Sequence, residues 1–362
     1  MNIFRHQKYN PFKLLKLSYK TLVVEKRMPW KLHRLITLIK INGIRSIFTS
    51  VRFALNKPKY RIMVSSIYFG GVGGSEKDLL SLVESMNDSV FYIFSENINS
   101  EGFTPKSYNY YLKPLFITNK KFDAYYYFAG GGHAMYHGDS YDFKVKIINT
   151  NARNISSIEN KFDYIIHQCT DFPRFFNNHD KHIFTFPDVR ATFPKDRTPI
   201  ELPEKYFITV FNPFSSKQKG YDIFLKAAEL TKYPIVWCFN NKTIVQHDTL
   251  PDHPNIIKMP NLAQEELFYA YEHAKAFISF STYESFGWAL AEAFFCNIPI
   301  ISAKTGFLDY IYNQKGIHIY TNEKELSTLL ATNDIQSPEY SYDIFLKNSY
   351  KTVIEKLIEL RI

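Results

Sequence analysis

Long apolar runs are missing from this chain of 362 residues. No stretch of eighteen consecutive apolar residues occurs, so no membrane-spanning helix is expected. Cysteine is scarce: Cys169, Cys238 and Cys296 have no metal-ligand spacing and cannot all pair. Two of them lie in apolar strand or helix surroundings, which points to reduced core thiols and a cytosolic setting. The amino terminus lacks a clean apolar h-region and cleavage site, so no signal peptide is expected. Acidic residues are nearly absent at the start, where residues 1–60 hold fourteen Lys and Arg against the single acid Glu25.

That basic segment also carries an apolar stripe. Ile44, Ile47, Phe48, Val51 and Leu55 share one helical face, with Arg45 and Arg52 beside it. WKLHRLITLIK upstream has the same mixed character. Such helices can lie in an anionic membrane interface. They can equally pack on the protein with their cations in water, and a basic stretch also attracts phosphate backbones. Of these we expect an anionic membrane surface as the partner of residues 1–58, and no nucleic acid.

Apolar residues make up 45% of the composition, enough for the two ordinary cores that the length predicts. Apolar strands alternate with helices. Tyr60 to Ile67 reads as a strand, FGGVGGSEK as a glycine loop and DLLSLVESM as a helix. Further strands are expected at 91–94, 124–128, 144–148, 163–167 and 182–186. Pro194, Pro199 and Pro203 mark a linker near 193–204. Ser337-Pro338 opens a last amphipathic helix with Phe345, Tyr350, Val353, Ile354 and Leu357 on its apolar side. The expected organisation is a basic extension (1–58), a first α/β domain (59–200), a second (201–336) and a closing helix (337–362).

The most informative stretch is FISFSTYESFGWALAEAFFCNIPIIS, residues 277–302. An apolar run ends in a polar loop, a helix follows and a β-branched run closes the unit. That is the pattern of a buried parallel sheet, whose ligands bind at the strands' carboxyl ends. Glu284 falls in the loop and Glu292 in the helix. The backbone amides of Ser285, Phe286, Gly287 and Trp288 point out of the helix's positive end, a place for a diphosphate. Gly287 permits close approach. The eight-residue spacing alone carries little weight, since Glu76 and Glu84 repeat it; the strand, loop and helix around it distinguish this pair.

The segment resembles the Glu-x7-Glu signature of the group-1 family of retaining glycosyltransferases. The resemblance extends from about Tyr206 to Tyr312. It includes KGYDIFLKAAEL, PIVWCFN, NLAQEELFYAYEHAKAFISFS, and the glycine loop TGFLDYI with Gly306 and Asp309. It implies the GT-B fold, two facing Rossmann-like domains with a carboxy-terminal helix crossing back to the first. By the same resemblance Glu292 receives the ribose hydroxyls of a nucleotide diphospho-sugar and Glu284 those of the transferred sugar. Lys219 and the 285–287 amides stabilise the leaving diphosphate. Gly73 and Gly74 line the cleft beneath the donor, and His133 stands near the reacting sugar.

Several readings stay open. A dinucleotide fingerprint in the first glycine loop fails because Glu76 occupies the third glycine position, although Glu96 sits where a ribose-binding acid would. A Gly-Arg pair usually precedes Lys219 in this family, and Asn212-Pro213 stands there instead; Lys217 is a candidate substitute. Asp171 is a candidate for the acceptor side, with helix capping an equal reading. His133-x3-His137 lacks a third zinc ligand. No Asp-x-Asp occurs anywhere, which suits a site without metal, and no cofactor is expected. The expected activity is sugar transfer to a glycan or lipid-linked acceptor in bacterial surface polysaccharide synthesis, by a protein peripheral to the inner face of the membrane. The alternatives are a GT-B nucleotide-sugar epimerase or hydrolase, and a degenerate binding subunit.

Overall fold

A computed structural model describes residues 45–69, 74–98, 109–112, 121–128, 135–150, 158–168, 179–213, 218–240, 250, 252–332 and 335–361. The first domain contains α1 (Arg45–Leu55), β1 (Arg61–Phe69), α2 (Gly74–Ser85), β2 (Val90–Ile98), β3 (Tyr110–Leu112), β4 (Lys121–Phe128), β5 (Asp142–Asn149), β6 (Tyr164–His167) and β7 (His182–Phe184). Its seven strands are all parallel, in the order β3-β2-β1-β4-β5-β6-β7. The expected strands all form. Only the three-residue edge strand β3 carries no readable signal, because a segment so short has no period to detect.

The tyrosine run of β4 shows why these strands read as unbroken apolar segments. Tyr126 and Phe128 enter one core layer, while Tyr125 and Tyr127 enter the layer on the other side of the sheet. Side chains alternate faces along a strand, and both faces are covered.

After a linker without regular structure beyond Phe193, the second domain begins with β8 (Phe207–Val210), α3 (Tyr221–Leu230), β9 (Ile235–Phe239) and β10 (Ile256–Pro260). It continues through α4 (Gln264–His273), β11 (Ala276–Ser279), α5 (Trp288–Phe295), β12 (Ile300–Ser302), α6 (Leu308–Ile311), β13 (Ile317–Ile319) and α7 (Glu323–Thr332). Its six parallel strands run β10-β9-β8-β11-β12-β13. In each sheet the strand order reverses once, between β1 and β4 and between β8 and β11. In open α/β sheets such points, at the carboxyl ends of the strands, are where ligands bind.

The chain closes with α8 (Asp343–Lys347) and α9 (Tyr350–Glu359) rather than the single helix expected from 337 onward. Residues 337–342 are not helical, and the helix breaks at Asn348 and Ser349. Ser349 is extended (φ −66°, ψ 153°), and its hydroxyl accepts the amide of Thr352 as an N-cap. The break is tied down by Phe186, whose amide donates to Asn348 O (2.7 Å) and whose carbonyl accepts from Tyr350 N (2.9 Å). Phe345 of α8 belongs to the second domain's core, whereas Tyr350, Val353, Ile354, Leu357 and Ile358 of α9 belong to the first domain's. The chain therefore crosses between domains at the break. Among the described residues no helix is long and apolar enough to cross a membrane. Cys238 and Cys296 are free thiols; burial pushes Cys238 up to about 12 and Cys296 upward as well.

Candidate functional site

The switch point of the second sheet collects several of the residues singled out in the sequence. The loop after β11 carries Glu284, and Gly287 caps α5 in the left-handed conformation (φ +87°). Only a residue without Cβ takes that conformation cheaply. Glu284 is fixed through its own amide, which donates to Thr305 Oγ1 at 2.7 Å. Gly306 backs it: a Cβ there would lie 2.3 Å from Phe286 O and 3.2 Å from Glu284 Cβ. Gly306 thus acts through close packing of its loop (φ +60°) against the Glu284 loop.

Lys219 arrives from the neighbouring strand by an equally constrained turn. Gly220 caps α3 at φ +65°, and a Cβ there would lie 2.0 Å from Phe280 O. The loops are laced together by Thr282 N donating to Gln218 O (2.9 Å) and Gln218 Nε2 donating to Tyr283 O (3.0 Å). The ammonium of Lys219 pairs with Glu284. A cavity of about 400 Å³ opens here, lined by Lys219, Glu284, Ser285 and Phe286 from the second domain, and by Gly74 and Asp78 of α2. Fixed ammonium, carboxylate and the amino end of α5 therefore share one recess between the domains, a polar setting suited to an anion that also carries hydroxyls.

Glu292 is placed otherwise. Its residue is only 2% exposed and does not line the cavity. One oxygen pairs with the ammonium of Lys77, from α2 of the opposite domain. The other accepts from Tyr271 Oη at 3.2 Å. Beside this pair, Trp288 Nε1 donates to Asp78 Oδ1 at 2.9 Å. Gln168 Nε2 donates to Asp78 Oδ2 at 3.1 Å and also to Tyr350 Oη of α9. Asn149 Nδ2 bonds the same phenol at 2.8 Å and that of Tyr126 at 2.6 Å. A buried polar chain thus runs from the closing helix through the first sheet to the first residue of α5. The helix start of α2 sits close enough that a Cβ on Gly74 would lie 3.1 Å from Trp288 Cδ1.

Of the sequence-derived candidates, Glu284, Ser285, Phe286, Gly287, Lys219 and Gly74 meet at the cavity, with Gly306 behind Glu284. Gly73, His133, Asp171 and Lys217 lie outside the described residues, as do residues 1–44 of the basic extension. His137 stacks on Phe94 (4.5 Å) with Nδ1 3.0 Å from Ser65 Oγ, and burial lowers its pKa. Lys77, Asp78, Gln168 and Tyr271 were not legible as site residues. A Lys-Asp pair inside an ordinary amphipathic helix reads as a solvated face until a second domain covers it.

Two facing Rossmann-like domains, with a polar recess between them at the switch point, make the GT-B fold. Residues 192–332, which span the second domain, match the family "Glycosyl transferases group 1", in line with the Glu-x7-Glu resemblance. The fold is similar to that of a glycosyltransferase from Rickettsia africae (TM-score 0.54, 12% identity, 84% of this chain and 98% of that one). It is also similar to the lipopolysaccharide outer core galactosyltransferase WaaB (TM-score 0.53, 12% identity, 83% and 100%). Sucrose-phosphate synthase of Thermosynechococcus elongatus aligns with a TM-score of 0.51 at 11% identity, over 83% and 93%. Comparison with curated proteins by sequence finds no significant match.

Proposed function

We propose that this glycosyltransferase takes its sugar from a nucleotide diphospho-sugar and passes it, with retention and without a metal ion, to a glycan or lipid-linked acceptor. The observation that carries the donor is the convergence of Lys219, Glu284 and the amino end of α5 on one cavity at the switch point. In this reading Glu284 receives hydroxyls of the transferred sugar and Glu292 those of the ribose. Lys219 and the amides of Ser285 to Gly287 meet the negative charge that grows on the leaving diphosphate, where such groups contribute most. Metal independence is supported by the sequence, which has no Asp-x-Asp and offers a cation and a helix terminus instead. Retention is supported by the group 1 match, and with no side chain standing out as a covalent nucleophile, a front-face attack assisted by the departing phosphate follows. The acceptor hydroxyl would be brought to the anomeric carbon in a cleft closed to water.

The donor half is tested by thermal unfolding against UDP, GDP, ADP, CMP and NAD. A ligand at a hundred times its Kd stabilises by about 2.7 kcal/mol. One nucleoside diphosphate is expected to do so, and Glu284→Gln to spare that shift while abolishing transfer from the matching donor. Stabilisation by NAD alone would overturn the reading.

The acceptor is read from the amino-terminal segment. Helix α1 packs Thr49 against the first sheet, Thr49 Oγ1 donating to Tyr110 O at 3.4 Å, and turns Phe48, Val51 and Leu55 outward at 52%, 51% and 78% exposure. Together with the cations of residues 1–60, this apolar edge fits an anionic membrane surface, and a lipid-linked acceptor of bacterial surface polysaccharide synthesis follows. Full-length protein is expected to sediment with vesicles containing phosphatidylglycerol and to stay in solution with purely zwitterionic ones. Sedimentation that survives Phe48→Ser/Val51→Ser/Leu55→Ser at full strength would remove α1 from the contact.

A further inference from the structure

Each carboxylate of the signature is held by a lysine, in two very different settings. Lys219 and Glu284 line the cavity and keep 25% and 16% side-chain exposure. Lys77 and Glu292 keep 8% and 2%, and neither reaches the cavity wall. Tyr271 donates to the other oxygen of Glu292 and the residue is only 2% exposed, so a hydroxyl reaches this carboxylate most directly by taking the place of the ammonium. A displaced ammonium cannot stay in the interface without a counter-charge, because desolvation penalises an unpaired ion heavily. The cavity opens beside it: Gly74 and Asp78, on the same first turns of α2, already form its wall. Asp78 is held by Trp288 and Gln168, and a bound phosphate brings a counter-charge that is free to meet the ammonium.

The loop after β8 gives a second, independent reason to look for a cation here. Its first described residues, Phe211, Asn212 and Pro213, hold none. Asn212 turns its Oδ1 to accept from Asn240 N at 2.9 Å, bracing the loop instead of facing a ligand. A diphosphate carries a negative charge on each phosphorus, and among the described residues Lys219 is the one ammonium that lines the cavity.

We infer that Lys77 is the second cation of the donor site: the ribose hydroxyls take its place on Glu292, and its ammonium moves onto the diphosphate opposite Lys219. The inference rests on the reading that Glu292 receives the ribose. The exchange leaves every charged group with a polar partner. Before it, two lysines answer two carboxylates. After it, hydroxyls satisfy the carboxylates and the lysines answer the two phosphoryl charges. Because Lys77 belongs to the first domain, the diphosphate joins the two domains only when the ribose is also in place, and the empty cleft is latched by Glu292.

The test titrates UDP, GDP and ADP, and separately uridine, guanosine and adenosine, by calorimetry with ligand-observed NMR for weak ligands. The proteins are wild type, Lys77→Met, Glu292→Gln and the double variant. Lys77→Met is expected to weaken the preferred diphosphate by about tenfold or more, while the matching nucleoside binds as well as before or better, its competitor having gone. Equal weakening of both ligands would make Lys77 a structural strut, and equal strengthening a mere competitor; either overturns the inference. The double variant keeps the interface neutral and guards against misfolding. It is expected to bind the diphosphate more weakly than Glu292→Gln alone, and equal affinity would also overturn the exchange. Failure of the underlying reading is distinguishable, since nucleoside affinity would then be the same in Glu292→Gln as in wild type.

Discussion

Lys219→Met is expected to lower kcat about 10²–10³-fold, the loss typical of removing one preorganised group from a developing anion, with KM changed much less. The expectation follows from how rigidly the ammonium is carried. Gly220 is locked in the left-handed region against Phe280 O, and Gln218, just before Lys219, is stitched to the Glu284 loop by three hydrogen bonds. Lys219 therefore reaches the cavity from a backbone with little freedom, which makes it a preorganised charge in a half-desolvated recess. Lys219→Arg keeps the charge but not the compact ammonium geometry, and should recover activity only in part. Steady-state kinetics with the donor found by the nucleotide panel provides the check. A variant with normal kcat and a raised KM would show that Lys219 binds ground state and transition state alike.

Glu292→Leu is the second large effect, and it appears in stability. The substitution leaves the Lys77 ammonium buried without its partner, which costs about 3–5 kcal/mol in comparable cases. Lys77→Met/Glu292→Leu removes both charges and fills the same space with apolar atoms, so most of that loss should return. Thermal unfolding of the two variants beside the wild type measures the difference. Because the pair joins α2 to α5, the loss should appear as earlier separation of the domains, with susceptibility to proteolysis rising in the linker around residues 193–206. A Glu292→Leu protein as stable as wild type would show that the two domains do not meet through this pair in solution.

These two residues also show how far the chain can be read without coordinates. Lys219 was legible because its signal is local: a strand, a Lys-Gly step and a helix within about a dozen residues. Glu284 was legible for the same reason. Lys77 was not, because its partner lies 215 residues away and nothing in GSEKDLLSLVES distinguishes an ammonium bound for a second domain from one bound for water. The closing helix failed in a related way. Its apolar periodicity is continuous enough to suggest one helix from 337, yet Phe345 and Tyr350 serve different cores. The break at Asn348 and Ser349 is stabilised by Phe186, a partner that no local pattern announces.

By itself the sequence determined the alternation of strands and helices, the two domains, and the loop-and-helix unit that presents Glu284 and Lys219. Those features rest on periods of two and 3.6 residues and on glycines in left-handed turns, interactions that close within a few residues of chain. Only the tertiary structure decided that Glu292 faces Lys77, that Trp288 is gripped by Asp78, and that a polar chain links α9 to the head of α5. Buried polar groups must find partners wherever the packed domains bring them. Which partners meet is settled by how two sheets, each complete in itself, are set face to face.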